Sequence, residues 1–446
     1  MKIIIAGVGD VGYHLAKQLS SEEHDISIID IDEDHVKKAG SNTDVMSIHG
    51  SSTSIRVLKE AKVEQTDLVV AVTSVESINI NTAILAKKLG AKKTIARVSS
   101  AEYVSDENFD MLKSLGIDYL IYPEELAAIE IVKLIERSAA TDIVEIEQGK
   151  LSIIGIKLDK NSPIINMTMR EIADKHKTTT FRVTAIQRGN QTIIPSGNDT
   201  FMINDQIFVI TTQDGIEEIM IIVGKEDSHI DNVMILGGGK IGRKTARLLE
   251  DKINVKLIES NSEKTIELAD YLRKTLVIQG DGRDIDLLAQ EAIIDMDAFV
   301  SVTADAETNI ITCLMAKHLG VSKTIAQVDN VDYVPLTQTI GLDSLINKKL
   351  IAANIISRFI RRANIISAVT IPGIDAGILE YIVKPGRAIT KKSVRDLKFP
   401  DGAIVGGYIR NDAGYIAVGD TIFQNDDKVV VFALPKAVSK VRDFFN

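Results

Sequence analysis

The sequence predicts an α/β protein made by tandem duplication: a doubly wound parallel-sheet domain is followed by a small α+β domain, and the pair then repeats. Three observations predict this fold class: a length of 446 residues, an internal repeat, and alternating strand and helix patterns. At about 150 residues per domain, the length alone suggests roughly three domains. The repeat divides the chain into two halves of two domains each.

The repeat is carried by three stretches of the first half. MKIIIAGVGDVG at the start returns as VMILGGGKIG after residue 232, so that Gly7 corresponds to Gly237, a shift of 230 positions. DLVVAVTSVESIN (67–79) returns as DAFVSVTADAETN (297–309) at the same shift. AKKTIARVSSAEYV (91–104) returns as VSKTIAQVDNVDYV (321–334), again at the same shift. We interpret this self-similarity as a duplication.

Each half opens with strands and helices in alternation. The apolar run LVVAV (68–72) has no polar alternation, which is typical of a central parallel strand buried on both faces. A helix over 76–89 is predicted to end at Gly90, because glycine is common just after a helix. Strand, helix and strand in succession predict a parallel sheet over residues 1–138 and a second over 231–360.

A different pattern follows residue 140 and predicts a small α+β domain over 141–225. Residues 141–158 alternate apolar and polar side chains, as a strand with one exposed face does. INMTMREIADKH is typical of a short helix, and 181–212 of strands joined by turns at Gly189–Asn190 and Gly197–Asn198.

The counterpart of this small domain is predicted over 364–446. It contains a helix-like segment, KKSVRDL (391–397), followed by a strand-rich stretch. The charged segment KEDSHIDN (225–232) separates the two halves of the chain.

Composition excludes several classes of function. The net charge of −10 argues against a general nucleic-acid binder, which carries a basic excess. The single cysteine, Cys313, excludes an intramolecular disulfide and a multi-cysteine zinc site, and is interpreted as a small buried side chain. No apolar run approaches the roughly 18 residues of a membrane span, and the N-terminus lacks a secretory signal. We therefore expect a cytoplasmic protein.

A glycine-rich motif follows the first strand of each half and opens a helix. The pattern is typical of a Rossmann-like dinucleotide site, in which backbone N–H groups at the helix N-terminus bind a pyrophosphate. The candidate positions are Gly7, Val8, Gly9, Asp10, Val11 and Gly12 in the first half, and Gly237, Gly238, Gly239, Lys240, Ile241 and Gly242 in the second. The alternative is a degenerate turn that keeps its glycines for packing only.

An acidic residue ends the second strand of each half, where a dinucleotide fold binds the adenosine ribose. Asp30 lies 18 residues after Gly12, and Glu259 lies 17 residues after Gly242. A carboxylate here favours NAD over NADP because it repels a 2′-phosphate. The two acids therefore predict an NAD(H) site in each half.

Further candidate ligand contacts follow later strands of each half. Thr73 and Ser74 follow the strand 68–72, and Thr303 is the counterpart of Thr73. A helix N-cap is the alternative role for Ser74. Arg97 ends the next strand and can bind a phosphate, or form a surface ion pair instead. Because its counterpart is Gln327, the two sites are predicted to differ, the first favouring anionic ligands.

Signs of catalysis are missing from the sequence. None of the seven histidines lies in a recognisable catalytic setting, and no metal-ligand pattern is present. Duplication of the small domain suits regulation better than catalysis. An NAD-dependent oxidoreductase with a diverged catalytic domain is the alternative, and a scaffold without ligands is a third. The segment 343–363 is interpreted as a crossover or dimer helix with a basic tip at Arg358, Arg361 and Arg362, contact with an anionic membrane being the alternative.

These motifs together resemble the TrkA family of potassium uptake proteins, over essentially the whole chain. The resemblance is carried by MKIIIAGVGDVG, IIDID, GSSTSIRVLKEA (50–61), DLVVAVTSVESIN and TIARV, and by their repetition after residue 231. It implies KTN (RCK) domains, each a Rossmann-like N-terminal domain followed by a small C-terminal one. It further implies a cytoplasmic, non-catalytic regulatory subunit, peripheral to the cell membrane, that assembles as a dimer or tetramer ring.

The resemblance also implies ligands and a partner. The family binds NAD(H) at the glycine-rich turn and the acid, and related sites take ATP or ADP. Gln327 puts triphosphate binding in the second half in doubt, so ATP or ADP is expected at the first-half site. The expected partner is an integral membrane potassium transporter subunit of the TrkH/TrkG kind, whose conductance changes when nucleotides exchange.

Overall fold

A computed structural model describes residues 1–20, 24–176, 180–189, 191–225, 229–330, 333, 340–361, 367–370 and 374–445. The chain divides into two compact units by its internal contacts. The first unit is Met1–Ala127 together with Asn347–Ala363, and the second is Ala128–Ile346 together with Asn364–Asn446. The first unit therefore takes one segment from the second half of the sequence.

The first half opens with a six-stranded parallel sheet. Its strands are β1 Lys2–Ala6, β2 Asp25–Asp30, β3 Met46–His49, β4 Leu68–Ala71, β5 Lys93–Arg97 and β6 Tyr119–Ile121. Its helices are α1 Asp10–Ser20, α2 Glu33–Asn42, α3 Ile55–Glu60, α4 Glu76–Lys88 and α5 Asp106–Leu115. The strand order β3-β2-β1-β4-β5-β6 reverses direction between β1 and β4, which is the doubly wound topology predicted.

A long helix and a small antiparallel sheet follow. The helix is α6 Pro123–Glu136. The strands are β7 Asp142–Ile146, β8 Leu151–Lys157, β9 Phe181–Arg188, β10 Gln191–Ile193 and β11 Gln206–Thr211, with helices α7 Met169–His176 and α8 Gly215–Val223. The order β10-β9-β11-β8-β7 makes one five-stranded antiparallel sheet, as an α+β domain requires. The predicted helix in INMTMREIADKH is α7, and Asn190 of the first predicted turn lies outside the described residues.

The second half repeats this topology. The parallel sheet has β12 Asn232–Leu236, β13 Asn254–Glu259, β14 Leu276–Gln279, β15 Ala298–Ser301, β16 Lys323–Gln327 and β17 Ser344–Ile346, and its order is β14-β13-β12-β15-β16-β17. Its helices are α9 Lys240–Leu249, α10 Ser262–Tyr271, α11 Ile285–Gln290, α12 Ala306–His318 and the crossover helix α13 Lys348–Arg361. The small sheet has β18 Ser367–Thr370, β19 Gly377–Ile382, β20 Ala403–Arg410, β21 Ala413–Ile416 and β22 Lys428–Ala433, followed by α14 Val438–Phe445.

These sheets confirm the predicted fold class: two doubly wound parallel sheets, each followed by a small antiparallel domain. The small sheets share one connectivity, because β18-β19-β22-β20-β21 is the order of β7-β8-β11-β9-β10 shifted along the chain. The domain limits 1–138, 141–225, 231–360 and 364–446 stay predictions.

The crossover helix α13 belongs to the core of the first unit. Ala352 and Ile356 are buried in one apolar cluster with Leu15 and Leu19 of α1. The phenyl ring of Phe359 lies 4.2 Å from the ring of Tyr119, centroid to centroid. The crossover interpretation of this segment is therefore confirmed, whereas the side chains of its predicted basic tip lie outside the described residues.

Two predictions about the small domains are wrong. Residues 141–158 form two strands rather than one, and β8 is buried at six of its seven positions, so it has no exposed face. The reason lies in the second unit, where Leu151 and Ile153 pack in one apolar cluster with Ile378 and Phe432 of the other small sheet. Both faces of β8 are covered, so the alternation of apolar and polar residues does not correspond to an exposed face of this strand.

The second wrong prediction is the helix over 391–397, which the structure shows as turns. The backbone N–H groups of Val394 and Arg395 donate to the carbonyls of Thr421 and Gly419, at 2.9 and 2.8 Å. These amides are therefore unavailable for the bonds to preceding carbonyls that a helix needs.

Candidate functional site

A pocket of about 450 Å³ lies in the first unit at the carboxyl ends of β1, β2 and β4, where the strand order reverses. Ligands of doubly wound folds bind at this position. Eight predicted residues line it: Gly7, Gly9, Asp10, Val11, Asp30, Thr73, Ser74 and Arg97. The fold thus brings predicted site residues that are spread over almost 100 positions of the sequence to one pocket.

The three positions of the first turn require glycine for different structural reasons. Gly7 has φ +97°, and a Cβ there would lie 2.7 Å from the backbone nitrogen of Thr73. A Cβ on Gly12 would lie 1.8 Å from the carbonyl oxygen of Gly7. A Cβ on Gly9 would have no atom within 4 Å, so its backbone borders open pocket space. Packing explains two of the glycines, and close approach of a ligand is the remaining reason for the third.

Asp30 is already oriented within the pocket. One carboxylate oxygen accepts the backbone N–H of Val8, and the other accepts that of Asp32 at 2.9 Å. His35 lies beside it, with Nδ1 4.0 Å from the carboxylate. Each carboxylate oxygen keeps a free lone pair, which is the acceptor that two ribose hydroxyls need.

Asp32 has a structural role nearby that the sequence prediction missed. It is the N-cap of α2, and its side chain accepts the backbone N–H groups of His35 and Asp34. These hydrogen bonds hold the pKa of Asp32 below its usual value. The pocket edge is therefore anionic near the position expected for a ribose.

Asn79, which was not predicted as a site residue, forms hydrogen bonds to the ends of two strands beneath the pocket. Its amide oxygen accepts the backbone N–H of Thr73 at 2.8 Å and the Thr73 hydroxyl at 2.7 Å. Its amide nitrogen donates to the carbonyls of Thr73 and Arg97, at 3.0 and 2.9 Å. The repeat contained the signal, because Asn79 recurs as Asn309 with the same four bonds to Thr303 and Gln327.

Ser74 and Arg97 present polar groups to the pocket. The N-cap of α4 is Val75, so the N-cap alternative for Ser74 is wrong. Arg97 is half-buried. Its guanidinium has no carboxylate partner among the described residues, so within them the surface ion pair considered as an alternative is wrong. An arginine without a carboxylate at a pocket wall is available to a phosphate.

Lys348 and Lys349 complete the pocket, and sequence analysis did not predict them. They form the first turn of α13, and the Lys349 ammonium forms an ion pair with Asp10, 339 positions away in the chain. No motif in the first half points to them, because their proximity depends on the return of α13 to the first unit.

The second half repeats the turn within the second unit. Gly237 has φ +105°, and a Cβ on Gly242 would lie 1.9 Å from the carbonyl oxygen of Gly237. A Cβ on Gly239 would have no atom within 4 Å. Glu259 accepts the backbone N–H groups of Gly238 and Asn261, both at 2.9 Å. Of the other predicted positions, Val8, Gly238 and Ile241 are buried, whereas Lys240 is exposed.

The second site differs in its charges. The amide of Gln327 lies 3.3 Å from Asp329, where the first half has an arginine. Arg283 binds the carboxylate of Asp281 through two nitrogens and lowers the pKa of that acid to about 2. Both groups of this pair are engaged with each other.

Three further observations bear on other classes of function. Among the described residues, no cluster of histidine, cysteine, aspartate and glutamate side chains is suited to a metal ion. Cys313 is fully buried, as interpreted, and burial raises the pKa of its thiol. None of the described helices combines the length and the apolar character needed to cross a bilayer.

Comparison with known families accounts for most of the chain. The TrkA-N domain matches residues 3–123 and 233–348, and the TrkA-C domain matches 153–224 and 378–446. The chain is 34% identical to "Trk system potassium uptake protein TrkA homolog 1" of Methanosarcina mazei, over the full length of both. It is 30% identical to "Trk system potassium uptake protein TrkA" of Vibrio alginolyticus, covering 100% of this chain and 99% of that one.

Solved structures show the same fold. The "GsuK channel bound to NAD" has a TM-score of 0.60 at 17% identity, covering all of this chain and 78% of the channel. The "GsuK RCK domain" has a TM-score of 0.59 at 16% identity, with 100% and 94% covered. "GsuK bound to ADP" has a TM-score of 0.51 at 16% identity, with 81% and 70% covered.

Proposed function

This chain belongs to the TrkA family of potassium uptake proteins, and we propose that it is a non-catalytic regulatory subunit that binds nucleotides at its glycine-rich turns and thereby controls a membrane potassium transporter. The proposed ligands are NAD(H) in both halves and ATP or ADP at the first-half site. The proposed partner is a membrane subunit of the TrkH/TrkG kind, with the protein on its cytoplasmic side as a dimer or tetramer.

The first pocket is the observation that carries the proposal. Its open Gly9 backbone beside the N-terminus of α1 suits a pyrophosphate, and the oriented Asp30 suits the adenosine ribose. An acid at that position disfavours the 2′-phosphate of NADP. Solved relatives of the same fold are described as bound to NAD and to ADP, which supports both ligand classes here.

A difference between the halves supports different ligand ranges. Arg97 lines the first pocket, whereas the corresponding Gln327 carries no charge and contacts Asp329. A guanidinium can bind a terminal phosphate through two parallel hydrogen bonds, and an amide cannot supply that charge. Binding of ATP or ADP is therefore proposed for the first half alone.

Regulation requires that a ligand bind two states of the protein differently. In the first pocket a nucleotide would contact the glycine-rich turn and the start of α13 together. A ligand that contacts both elements binds two states differently when the geometry of these contacts differs between the states. A change at this contact is the proposed origin of a change in transporter conductance.

Calorimetric titration of the purified chain with NAD, NADH, ATP and ADP tests the proposal. We expect saturable binding of NAD and NADH at close to two sites per chain, binding of ATP and ADP at one, and no turnover of the nicotinamide. Potassium flux through the co-expressed transporter subunit should then depend on these nucleotides. Absence of binding by all four ligands would overturn the proposal, and steady hydride transfer would favour an oxidoreductase instead.

A further inference from the structure

The crossover helix α13 supplies a cationic wall to a pocket built otherwise from the first half. Lys348 and Lys349 line it beside Gly9, Asp10 and Arg97. The Lys349 ammonium is paired with the Asp10 carboxylate. Three cationic side chains thus border one cavity, and one of them is held by an acid of the glycine-rich turn.

The ion pair between Asp10 and Lys349 is suited to exchange. The Asp10 side chain is 71% exposed, and the Lys349 side chain 28%. Ion pairs with this degree of exposure are weak because water screens both charges. A terminal phosphate offers a higher charge and several oxygen acceptors to the three N–H donors of the ammonium, so it competes effectively for Lys349.

The rest of α13 is fixed against α1, so that a change at Lys349 acts on a defined contact. Ala352 and Ile356 are buried against α1, and the Ser357 hydroxyl donates to Gln18 at 3.1 Å. The glycine-rich turn leads into α1, and the two lysines form the first turn of α13. A ligand that binds both elements therefore bridges the N-termini of two helices that pack against each other.

The repeat carries the same pair of positions with the charges exchanged. Asp10 corresponds to Lys240 in the second glycine-rich turn. The helices α6 and α13 both have 14 residues and follow the last strand of a parallel sheet, so Lys349 corresponds to Glu124. In sequence, both positions are therefore acidic in the first half and basic in the second half.

We propose that Lys349, assisted by Lys348, binds the terminal phosphate of a nucleoside di- or triphosphate in the first pocket, and that this bond replaces the Asp10–Lys349 ion pair. NAD has only internal phosphates, which lie at the glycine-rich turn, whereas ADP and ATP end in a phosphate of higher charge. The crossover helix therefore distinguishes the two ligand classes. This inference rests on the nucleotide-binding function proposed above and deepens it.

Opposite effects of two substitutions test the inference on the full chain by calorimetry with ATP, ADP and NAD. Lys349→Gln should weaken ATP binding about tenfold, the scale of one charge-assisted hydrogen bond, and change NAD binding less than about twofold. Asp10→Asn should strengthen ATP binding, because it releases Lys349 and removes a competing carboxylate. In the Lys349→Gln background, the gain from Asp10→Asn should shrink.

A purely structural ion pair predicts a different pattern. Both substitutions break the same pair, so they would then shift ATP affinity in the same direction, and NAD affinity with it. That result, or unchanged ATP affinity in Lys349→Gln, would overturn the inference while leaving nucleotide binding intact. Absence of any binding by the unsubstituted chain would instead overturn the proposed function.

Lys92→Gln is the matched control. Lys92 pairs with Asp67 at 2.7 Å before β5, at the opposite end of the same sheet. This substitution also removes one ion pair from the first unit but should leave the affinity for all three ligands unchanged.

Discussion

The backbone N–H of Val8 donates a hydrogen bond to the carboxylate of Asp30, which joins the middle of the glycine-rich turn to the end of β2. Gly238 and Glu259 repeat this bond at 2.9 Å in the second half. The acid that is expected to bind the ribose therefore also orders the turn that is expected to bind the pyrophosphate. One side chain therefore contributes to both parts of the proposed nucleotide site.

Asp30→Ala should weaken NAD binding by at least about tenfold, because ribose acceptors and turn order are both lost. The chain should stay folded, since Asp30 lies at a pocket edge rather than in the apolar core. Calorimetry gives the affinity and circular dichroism the fold. Asp25→Ala, at the other end of β2, is the control. Unchanged NAD affinity in Asp30→Ala would count against the first site.

Asp30→Asn separates the two roles of this residue. The amide oxygen can still accept the Val8 N–H, but the negative charge is gone. We expect discrimination against NADP to decrease, because repulsion of the 2′-phosphate is removed. The ratio of NADP to NAD affinity measures this effect, and an unchanged ratio would show that another group excludes NADP.

Arg97→Ala should reduce affinity for ATP and ADP more than for NAD. The guanidinium has no carboxylate partner among the described residues and lines the pocket, so its charge is available to a terminal phosphate. A loss of about tenfold for ATP is the scale of one charge-assisted bond. Lys93→Ala, at the exposed start of the same strand, is the control. Equal losses for ATP and NAD would contradict this assignment.

Asn79→Ala should destabilise the first unit by about 2 kcal/mol, because buried hydrogen-bonding groups lose their partners. The Thr73 N–H and the Arg97 carbonyl are both bonded to this amide, which is 1% exposed. Thermal unfolding measures the loss. Asn81→Ala, on the exposed face of α4, should leave the unfolding temperature unchanged. A stable Asn79→Ala variant would show that the strand ends do not depend on the amide.

Local patterns were sufficient to predict the doubly wound sheets and the glycine-rich turns. Gly7, Gly12 and Asp30 act within about 30 positions of one another, so strand length and spacing specify their geometry. The repeat singled out Asn79 through its counterpart Asn309, but its role became clear only from its hydrogen bonds to Thr73 and Arg97.

Long-range packing explains what the sequence did not predict. Lys349 reaches Asp10 only because α13 packs against α1, and no local periodicity encodes that return. The burial of β8 depends likewise on a second sheet that is distant in sequence. At 394–395 the backbone pairs with residues 419–421, which overrides the local helix pattern.

Two opposite charges interact in the second unit: the half-buried Asp142 and the buried Lys323. Asp142 accepts hydrogen bonds from Thr141 and Gln206, at 2.8 and 2.7 Å, and burial raises its pKa to about 6. Lys323 is 3% exposed and donates to the Ala140 carbonyl, and burial lowers its pKa to about 8. The carboxylate and the ammonium attract each other, but burial opposes both charges.

The stability of this unit should therefore depend on pH in two windows. Between about pH 4 and 6 the folded chain binds the Asp142 proton more tightly than the unfolded chain, so stability should fall as pH rises, by at most about 3 kcal/mol. Between about pH 8 and 10.5 the unfolded chain holds the Lys323 proton more tightly, so stability should rise with pH.

Thermal unfolding of Asp142→Asn, which keeps an acceptor for Thr141 and Gln206, should lose the dependence of stability on pH between about pH 4 and 6. Asp174→Asn, on the exposed face of α7, should retain it. An Asp142→Asn profile that parallels the unsubstituted chain from pH 4 to 6 would exclude Asp142 as its origin.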